Sequence, residues 1–81
     1  MQNIVDLDSL TIDQAQALAA EHGWRAGRLK ATGKTAQQVF ARGGVWVTVF
    51  YAEGRTRPLH RTGDDQHRER LVRDLRAELT A

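Results

Sequence analysis

The 81-residue sequence contains no cysteine, only one proline and no long apolar run. The lack of cysteine excludes a disulfide scaffold, thiol catalysis and zinc sites built on cysteine. No stretch approaches the ~18 consecutive apolar residues of a membrane span, and the first residues lack the basic and apolar regions of a signal peptide. We therefore expect one small cytoplasmic domain over residues 1–81, with no membrane association.

Residues suited to catalysis or metal binding are also scarce. Ser9 is the only serine, and it lies just ahead of a predicted helix, where a turn or capping role is expected. His22, His60 and His67 lack the spacing of metal ligands. The segment Gly33-Lys34-Thr35 resembles the end of a phosphate-binding loop, but the first glycine of that loop is missing. We predict that the protein is not an enzyme and has no metal and no cofactor.

Basic residues are absent from the start of the chain and concentrated in its middle. Residues 1–23 contain four acidic and no basic residues, whereas residues 24–61 contain eight basic residues and one acidic residue, a net charge of +7. Residues 62–81 are mixed, with four basic and five acidic residues. A GC-rich genome would explain why ten of the twelve basic residues are arginine, but it would not explain the clustering. The central block favours a polyanionic partner.

A helix is predicted over residues 11–22. Thr11 and Gln14 have the spacing of a capping box, in which each side chain hydrogen-bonds to the backbone of the other residue. Gly23 suits the position just after the helix, and Trp24 should pack back on its last turn, as in a Schellman motif.

The centre of the chain has the pattern of an antiparallel meander. Residues 45–51 are β-branched and aromatic almost throughout, as is typical of a strand. Gly43-Gly44 before it and Glu53-Gly54 after it are suited to tight turns, so residues 36–42 and 55–61 should form the neighbouring strands.

Two further strand assignments and a last helix complete the prediction. Proline cannot donate to a ladder, so Pro58 places the third strand at an edge. Residues 25–31 suggest a fourth, weaker strand.

A last helix is predicted at the end of the chain, where Gly63-Asp64-Asp65 should end the sheet and cap the helix. Its apolar stripe would consist of Leu71, Val72, Leu75 and Leu79. The ion pairs Glu69–Arg73 and Arg70–Asp74 would lie on its outer faces. The expected fold is a two-layer α+β domain of order α-β-β-β-α, with both helices on one face of the sheet.

The two tight turns also predict which side chains share a face, because side chains alternate along a strand. The face under the helices should carry Phe40, Val45, Val47, Val49, Tyr51, Pro58 and His60. The opposite face should carry Val39, Ala41, Trp46, Thr48, Phe50, Arg55, Arg57, Leu59 and Arg61.

This opposite face is the candidate binding site. Trp46 and Phe50 could stack on unpaired bases, and nearby cations could contact phosphates, which favours a nucleic-acid-binding protein for DNA or RNA. The cations on the face are Arg55, Arg57 and Arg61, with Arg25, Arg28, Lys30 and Lys34 as an extension of the basic track. The same residue types are typical of protein interfaces. The alternative is therefore a small regulator or inhibitor of the phage or mobile-element type that docks an acidic protein or forms a homodimer. In a third interpretation the face is core, either with one helix on each side of the sheet or beneath a terminal segment such as Ile4-Val5.

Overall fold

A computed structural model describes residues 9–81 of the protein. The elements are, in chain order, α1 (Ile12–Glu21), β1 (Arg25–Ala26), β2 (Lys30–Thr32), β3 (Thr35–Arg42), β4 (Val45–Ala52), β5 (Arg55–Thr56), β6 (His60–Asp64), β7 (Glu69–Val72) and α2 (Leu75–Thr80). The fold is mostly antiparallel sheet with two helices, so the α+β class agrees with the prediction. The predicted number and order of the elements are wrong, because the sheet has seven strands.

The first helix forms where its local signals indicate. The Gln14 backbone N–H donates to the Thr11 hydroxyl oxygen at 3.1 Å, and the Thr11 N–H donates to the Gln14 side-chain oxygen at 3.0 Å. Gly23 has φ +82°, which lets the Trp24 N–H reach back to the Ala19 carbonyl at 2.9 Å. The capping box and the Schellman ending are both confirmed.

The central hairpin has the predicted register. β3 and β4 pair from Arg42↔Val45 at the turn to Thr35↔Ala52 at the far end. β1 and β2 both pair with the outer edge of β3, so residues 25–31 contribute to two short strands instead of one. The tight connection between β2 and β3 is the turn at Gly33-Lys34.

The third predicted strand is interrupted. β5 pairs with β4 as predicted, at Tyr51↔Thr56, but the ladder then breaks around Pro58 and resumes at Thr48↔Arg61. Thr48 thus pairs with Arg61 and not with Leu59, the partner that the turn alone predicts, so the pairing is shifted by two residues. Because side chains alternate with a period of two, this shift of two leaves each residue on its predicted face. Pro58 lies in the break and belongs to neither strand. The prediction of an edge strand is wrong for the second part of that segment, because β6 also pairs with β7.

The predicted long C-terminal helix is also wrong. Gly63 and Asp64 belong to β6, and residues 69–72 form β7, which pairs with β6 at His60↔Val72 and Gly63↔Glu69. The Asp64 carboxylate organises the connecting turn instead of capping a helix, since it accepts the backbone N–H groups of Gln66 and Arg68 at 3.0 and 3.1 Å. These hydrogen bonds, the one from Arg68 foremost, lower the pKa of Asp64.

Only residues 75–80 of that segment are helical, and Asp74 caps them through the Ala77 N–H at 3.0 Å. Val72, Leu75 and Leu79 are buried, but Leu71 is 52% exposed because it points to the other side of β7. The predicted pairs Glu69–Arg73 and Arg70–Asp74 are absent from the described residues. Their place is taken by Arg61–Glu69 at 3.5 Å and Arg70–Glu78 at 2.9 Å.

Both helices pack on the same face of the sheet, around a single core. Its buried members are Leu10, Ala15, Ala19, Trp24, Phe40, Val47, Val49, Tyr51, Leu75 and Leu79. The strand residues among them all come from the face predicted to be buried, so the alternative with one helix on each face is wrong. Val45 and Pro58 are exceptions, because they lie exposed at a strand end and in the ladder break. The alternative that uses Ile4-Val5 as a cover lies outside the described residues.

Arg42 and Trp24 hold the ends of the two helices together. The indole N–H of Trp24 donates to the Leu79 carbonyl at 2.8 Å. The Arg42 guanidinium lies over the Trp24 ring at 4.3 Å and donates to the His22 carbonyl at 2.7 Å and to the Ala81 carbonyl at 2.9 Å. A guanidinium at two helix C-termini also complements the negative ends of both helix dipoles. This member of the basic block therefore has a structural role.

Candidate functional site

The sheet face opposite the helices, called here the open face, carries four rows of side chains that run across the strands. One row is Arg25, Ala41, Trp46, Gly63 and Glu69, and the next is Val39, Thr48, Arg61 and Leu71. The third row is Lys30, Gln37, Phe50 and Arg57, and the fourth is Thr32, Thr35, Ala52 and Arg55. Within residues 9–81 no helix covers these rows. Most of their side chains are exposed or partly exposed.

Trp46 rests against a glycine of the neighbouring strand. A Cβ atom built on Gly63 would lie 2.6 Å from Cε2 of the indole and nearer still to Cζ2, so only glycine leaves room for the ring at this position. Trp46 is consequently partly buried, with its inner side against β6. A strand glycine covered by a cross-strand aromatic side chain is a recurrent packing solution in sheets. It holds the indole close to the open face.

Phe50 is held by a hydrogen bond that replaces a missing rung of the ladder. Where β5 and β6 are interrupted, the Phe50 backbone N–H donates to Nδ1 of His60 at 3.0 Å. The two rings are nearly parallel, at an angle of 11°, with centroids 6.4 Å apart. His60 thereby supplies the hydrogen-bond acceptor that a continuous strand would provide, and its ring lies parallel to that of Phe50.

The His60 ring is 1% exposed, and this burial lowers its pKa, while a hydrogen bond involving the backbone of Arg57 offsets part of the shift. A ring nitrogen that accepts an N–H group must be unprotonated, so the hydrogen bond from Phe50 requires the same neutral state. His60 was predicted on the helix-side face, and its burial agrees with that.

The cations on the open face fall into two groups. Arg25, Lys30 and Arg57 are exposed, and within the described residues none of them has an ion-pair partner. Arg55 donates from Nε to the Ser9 hydroxyl at 2.9 Å and from Nη2 to the Ser9 carbonyl at 3.1 Å, and Arg61 pairs with Glu69. Of the two groups, only the side chains of the first have no ion-pair or hydrogen-bond partner among the residues that the structure describes.

Four of the cations predicted to contact phosphate either have a protein partner already or lie off the four rows. Arg55 and Arg61 lie on the open face but already bind protein groups. Arg28 lies exposed between β1 and β2, and Lys34 lies in the turn before β3, so neither belongs to the four rows. Trp46, Phe50, Arg57 and Lys30 do share the open face.

The ladder break leaves a groove of about 470 Å³ beside Phe50, called here the notch. Its apolar walls are formed by Phe50, Pro58, Leu59 and Leu71, with the buried His60 at its base and the exposed Arg57 and Arg61 at its rim. A second groove of about 350 Å³ lies on the other side of Phe50, where Lys30, Thr35 and Gln37 make it more polar. The Phe50 ring thus separates two grooves.

Sequence reasoning missed Gly63 and Leu71 as members of the site, and it named Arg25 only as an extension of the basic track. Gly63 and Leu71 were assigned to a helix start and a helix, so their place on the open face was lost. A signal was present in the run Glu69-Arg70-Leu71-Val72, which alternates between the two faces when read as a strand.

Comparison of the chain with family models, curated proteins and solved structures finds no match. Within residues 9–81 there is no group of three His, Asp or Glu side chains that could hold a metal ion. Neither α1 nor α2 is long and apolar enough to cross a bilayer.

Proposed function

We propose that the protein binds single-stranded nucleic acid on its open face. Trp46 and Phe50 would stack on bases, and Arg25, Lys30 and Arg57 would contact phosphates. The observation that carries the proposal is the pair of partly exposed aromatic side chains on one uncovered strand, flanked by cations that have no ion-pair partner among the described residues.

The spacing of the two rings favours a single strand over a duplex. Trp46 and Phe50 are four residues apart on β4, which corresponds to about 13 Å at the usual rise of a strand. Bases stacked on one another are only ~3.4 Å apart, so the two rings would hold bases that are separated along an extended strand. Within residues 9–81 the open face also presents a sheet surface and no helix that could enter a major groove.

The positions of the three free cations give the electrostatic part of the argument. Lys30 and Arg57 lie on either side of Phe50 in one row, and Arg25 lies in the row of Trp46. A strand that passed over both rings would bring its phosphates near these groups. With three phosphate contacts the slope of log K against log salt should be about −2, and five contacts would give about −3.5.

The test is fluorescence anisotropy with labelled single- and double-stranded DNA and RNA over a series of salt concentrations. We expect single strands to bind more tightly than duplexes, with a slope near −2. Arg57→Glu should weaken binding and flatten the slope by roughly one third, since one of three contacts is lost. The matched control is Arg76→Glu, which makes the same charge change on α2, away from the open face.

No binding of any single strand at low salt would refute the proposal. Equal losses from Arg57→Glu and Arg76→Glu would show that net charge, and not the open face, determines the binding.

A small regulator that docks an acidic protein or forms a homodimer is a second candidate, and the exposed aliphatic side chains favour it. Val39, Leu59 and Leu71 are 41%, 38% and 52% exposed on the open face, and apolar groups rimmed by arginine are typical of protein interfaces. Light scattering over a range of protein concentrations separates the homodimer from the monomer. A dimer that dissociates when Leu71 is changed to Asp would support this candidate.

A further inference from the structure

The notch exists because two strands end next to each other at this point of the sheet. Pro58 has no N–H to donate and lies where β5 stops and β6 has not begun, and β7 ends at Val72, opposite His60. Among residues 9–81, β7 therefore contributes no residue to the row of Phe50, which lies next to the row of Leu71. The result is a gap in the sheet with apolar walls, open to solvent on the face proposed to bind nucleic acid.

From this arrangement we infer that the notch receives one unstacked base of the bound strand, inserted between the Phe50 ring and the Leu71 side chain. The inference rests on the proposed function and assigns the notch a part in it. Its occupant is a nucleobase, whose flat apolar faces pack against aromatic and aliphatic side chains while its sugar and phosphate stay in water.

The walls of the notch suit a flat ring. Phe50 forms one wall; its ring is parallel to the His60 ring, with centroids 6.4 Å apart, and its backbone N–H donates to Nδ1 of His60. Leu59 and Leu71 also line the notch and are 38% and 52% exposed, so an inserted base would remove apolar surface from water.

The charges at the rim favour a nucleotide over a neutral apolar group. Arg57 and Arg61 both line the notch and are exposed, so their guanidinium groups can reach the phosphates on either side of an inserted base. Arg61 is paired with Glu69 only at 3.5 Å, and both side chains are more than half exposed, which makes this pair weak enough to exchange for a phosphate. That exchange would add a fourth contact to the three of the proposed function and steepen the salt slope from about −2 to about −2.8.

The notch should contribute more to binding than Trp46 does. Trp46 offers one face to a base because its other side is against Gly63, whereas a base inserted in the notch would contact Phe50 on one side and Leu71 on the other. Removal of the base in the notch should therefore cost more affinity than removal of the base on Trp46. Base stacking of this kind is worth roughly 10-fold or more in affinity.

The experiment uses the full chain and a set of short single-stranded oligonucleotides, each with one abasic position, measured by anisotropy at low salt. One abasic position should lower affinity about 10-fold or more, and the others should have smaller effects. In the Leu71→Ala variant that position should lose most of its influence. Leu29→Ala is the matched control, because Leu29 is 37% exposed between β1 and β2 and does not line the notch.

A fluorescent base analogue provides a second readout. Placed at the sensitive position, 2-aminopurine should change its emission on binding the wild-type protein and change it less with Leu71→Ala. Thermal unfolding of both variants checks that folding is intact.

The outcomes separate the two proposals. If oligonucleotides bind but every abasic position has the same effect, or if Leu71→Ala and Leu29→Ala behave alike, the notch does not hold a base and the proposed function stands without it. If the wild-type protein binds no oligonucleotide at low salt, both are overturned.

Discussion

The contact between Trp46 and Gly63 makes a sharp prediction about stability. Gly63 is not among the glycines with positive φ, so its backbone conformation is open to alanine. If no side chain lay against this position, alanine would stabilise the fold by about 0.5–1 kcal/mol, because it lowers the conformational entropy of the unfolded chain. The neighbour is the indole, and the added Cβ would overlap its ring atoms.

The net effect of Gly63→Ala should therefore be unfavourable. The indole must swing away from β6, and crowding of this kind typically costs about 1–3 kcal/mol. Trp46→Ala alone should cost about 1–2 kcal/mol, which is less than for a fully buried aromatic side chain, because the ring is only partly buried. In the double variant the clash is gone, so Gly63→Ala should be neutral or stabilising in the Trp46→Ala background. The expected coupling between the two positions is about 2 kcal/mol.

Urea unfolding followed by circular dichroism measures all four proteins of this cycle, and the buried Trp24 remains as a fluorescence probe when Trp46 is absent. For a coupling of this size, the change in Tm caused by Gly63→Ala should differ between the wild-type and Trp46→Ala backgrounds by roughly 8–16 °C. Equal costs of Gly63→Ala in the two backgrounds would refute the reasoning, since the indole would then not lie against residue 63.

Three further predictions follow from single contacts. Because burial lowers the pKa of His60, this residue binds a proton more readily in the unfolded chain than in the folded protein. The free energy of unfolding should therefore fall as the pH drops below about 6.5, and urea titrations at about pH 7 and pH 5 should show that His60→Gln abolishes this fall. Arg42→Met should lower stability by about 2 kcal/mol through the loss of its bonds to two helix ends, and Arg42→Lys should restore only part of it. Thr11→Ala should cost about 1 kcal/mol by removing the cap of α1, and a change in Tm below about 2 °C would contradict this role.

The parts of the fold that were predicted correctly rest on local signals. The capping box at Thr11 and Gly23 after the helix determine α1 within the first 24 residues, with little help from distant parts of the chain. The turn at Gly43-Gly44 determines the register of β3 and β4 by its length alone. The faces of the sheet follow from that register, and the interruption at Pro58 left them unchanged because it shifts the pairing by an even number of residues.

The C-terminal third could not be predicted in this way because two structures share its pattern. Leu71, Val72, Leu75 and Leu79 have helical spacing, but the same residues also fit a short strand followed by one helical turn and a half. What decides between them is distant in sequence, since β6 needs a partner along its free edge and Val72 can be buried there. Tertiary pairing thus overrides the local preference for helix.

The candidate site shows why a count of charges overstates a binding surface. The central block has eight basic residues, but Arg42 binds the carbonyls at two helix ends, Arg55 binds Ser9 and Arg61 lies near Glu69. A cation that already satisfies a protein acceptor gains less from a phosphate, because the first interaction must be given up. Among the described residues, the cations that remain free on the open face are Arg25, Lys30 and Arg57. The salt dependence of binding should therefore follow the number of cations without a protein partner, and not the net charge of the central block.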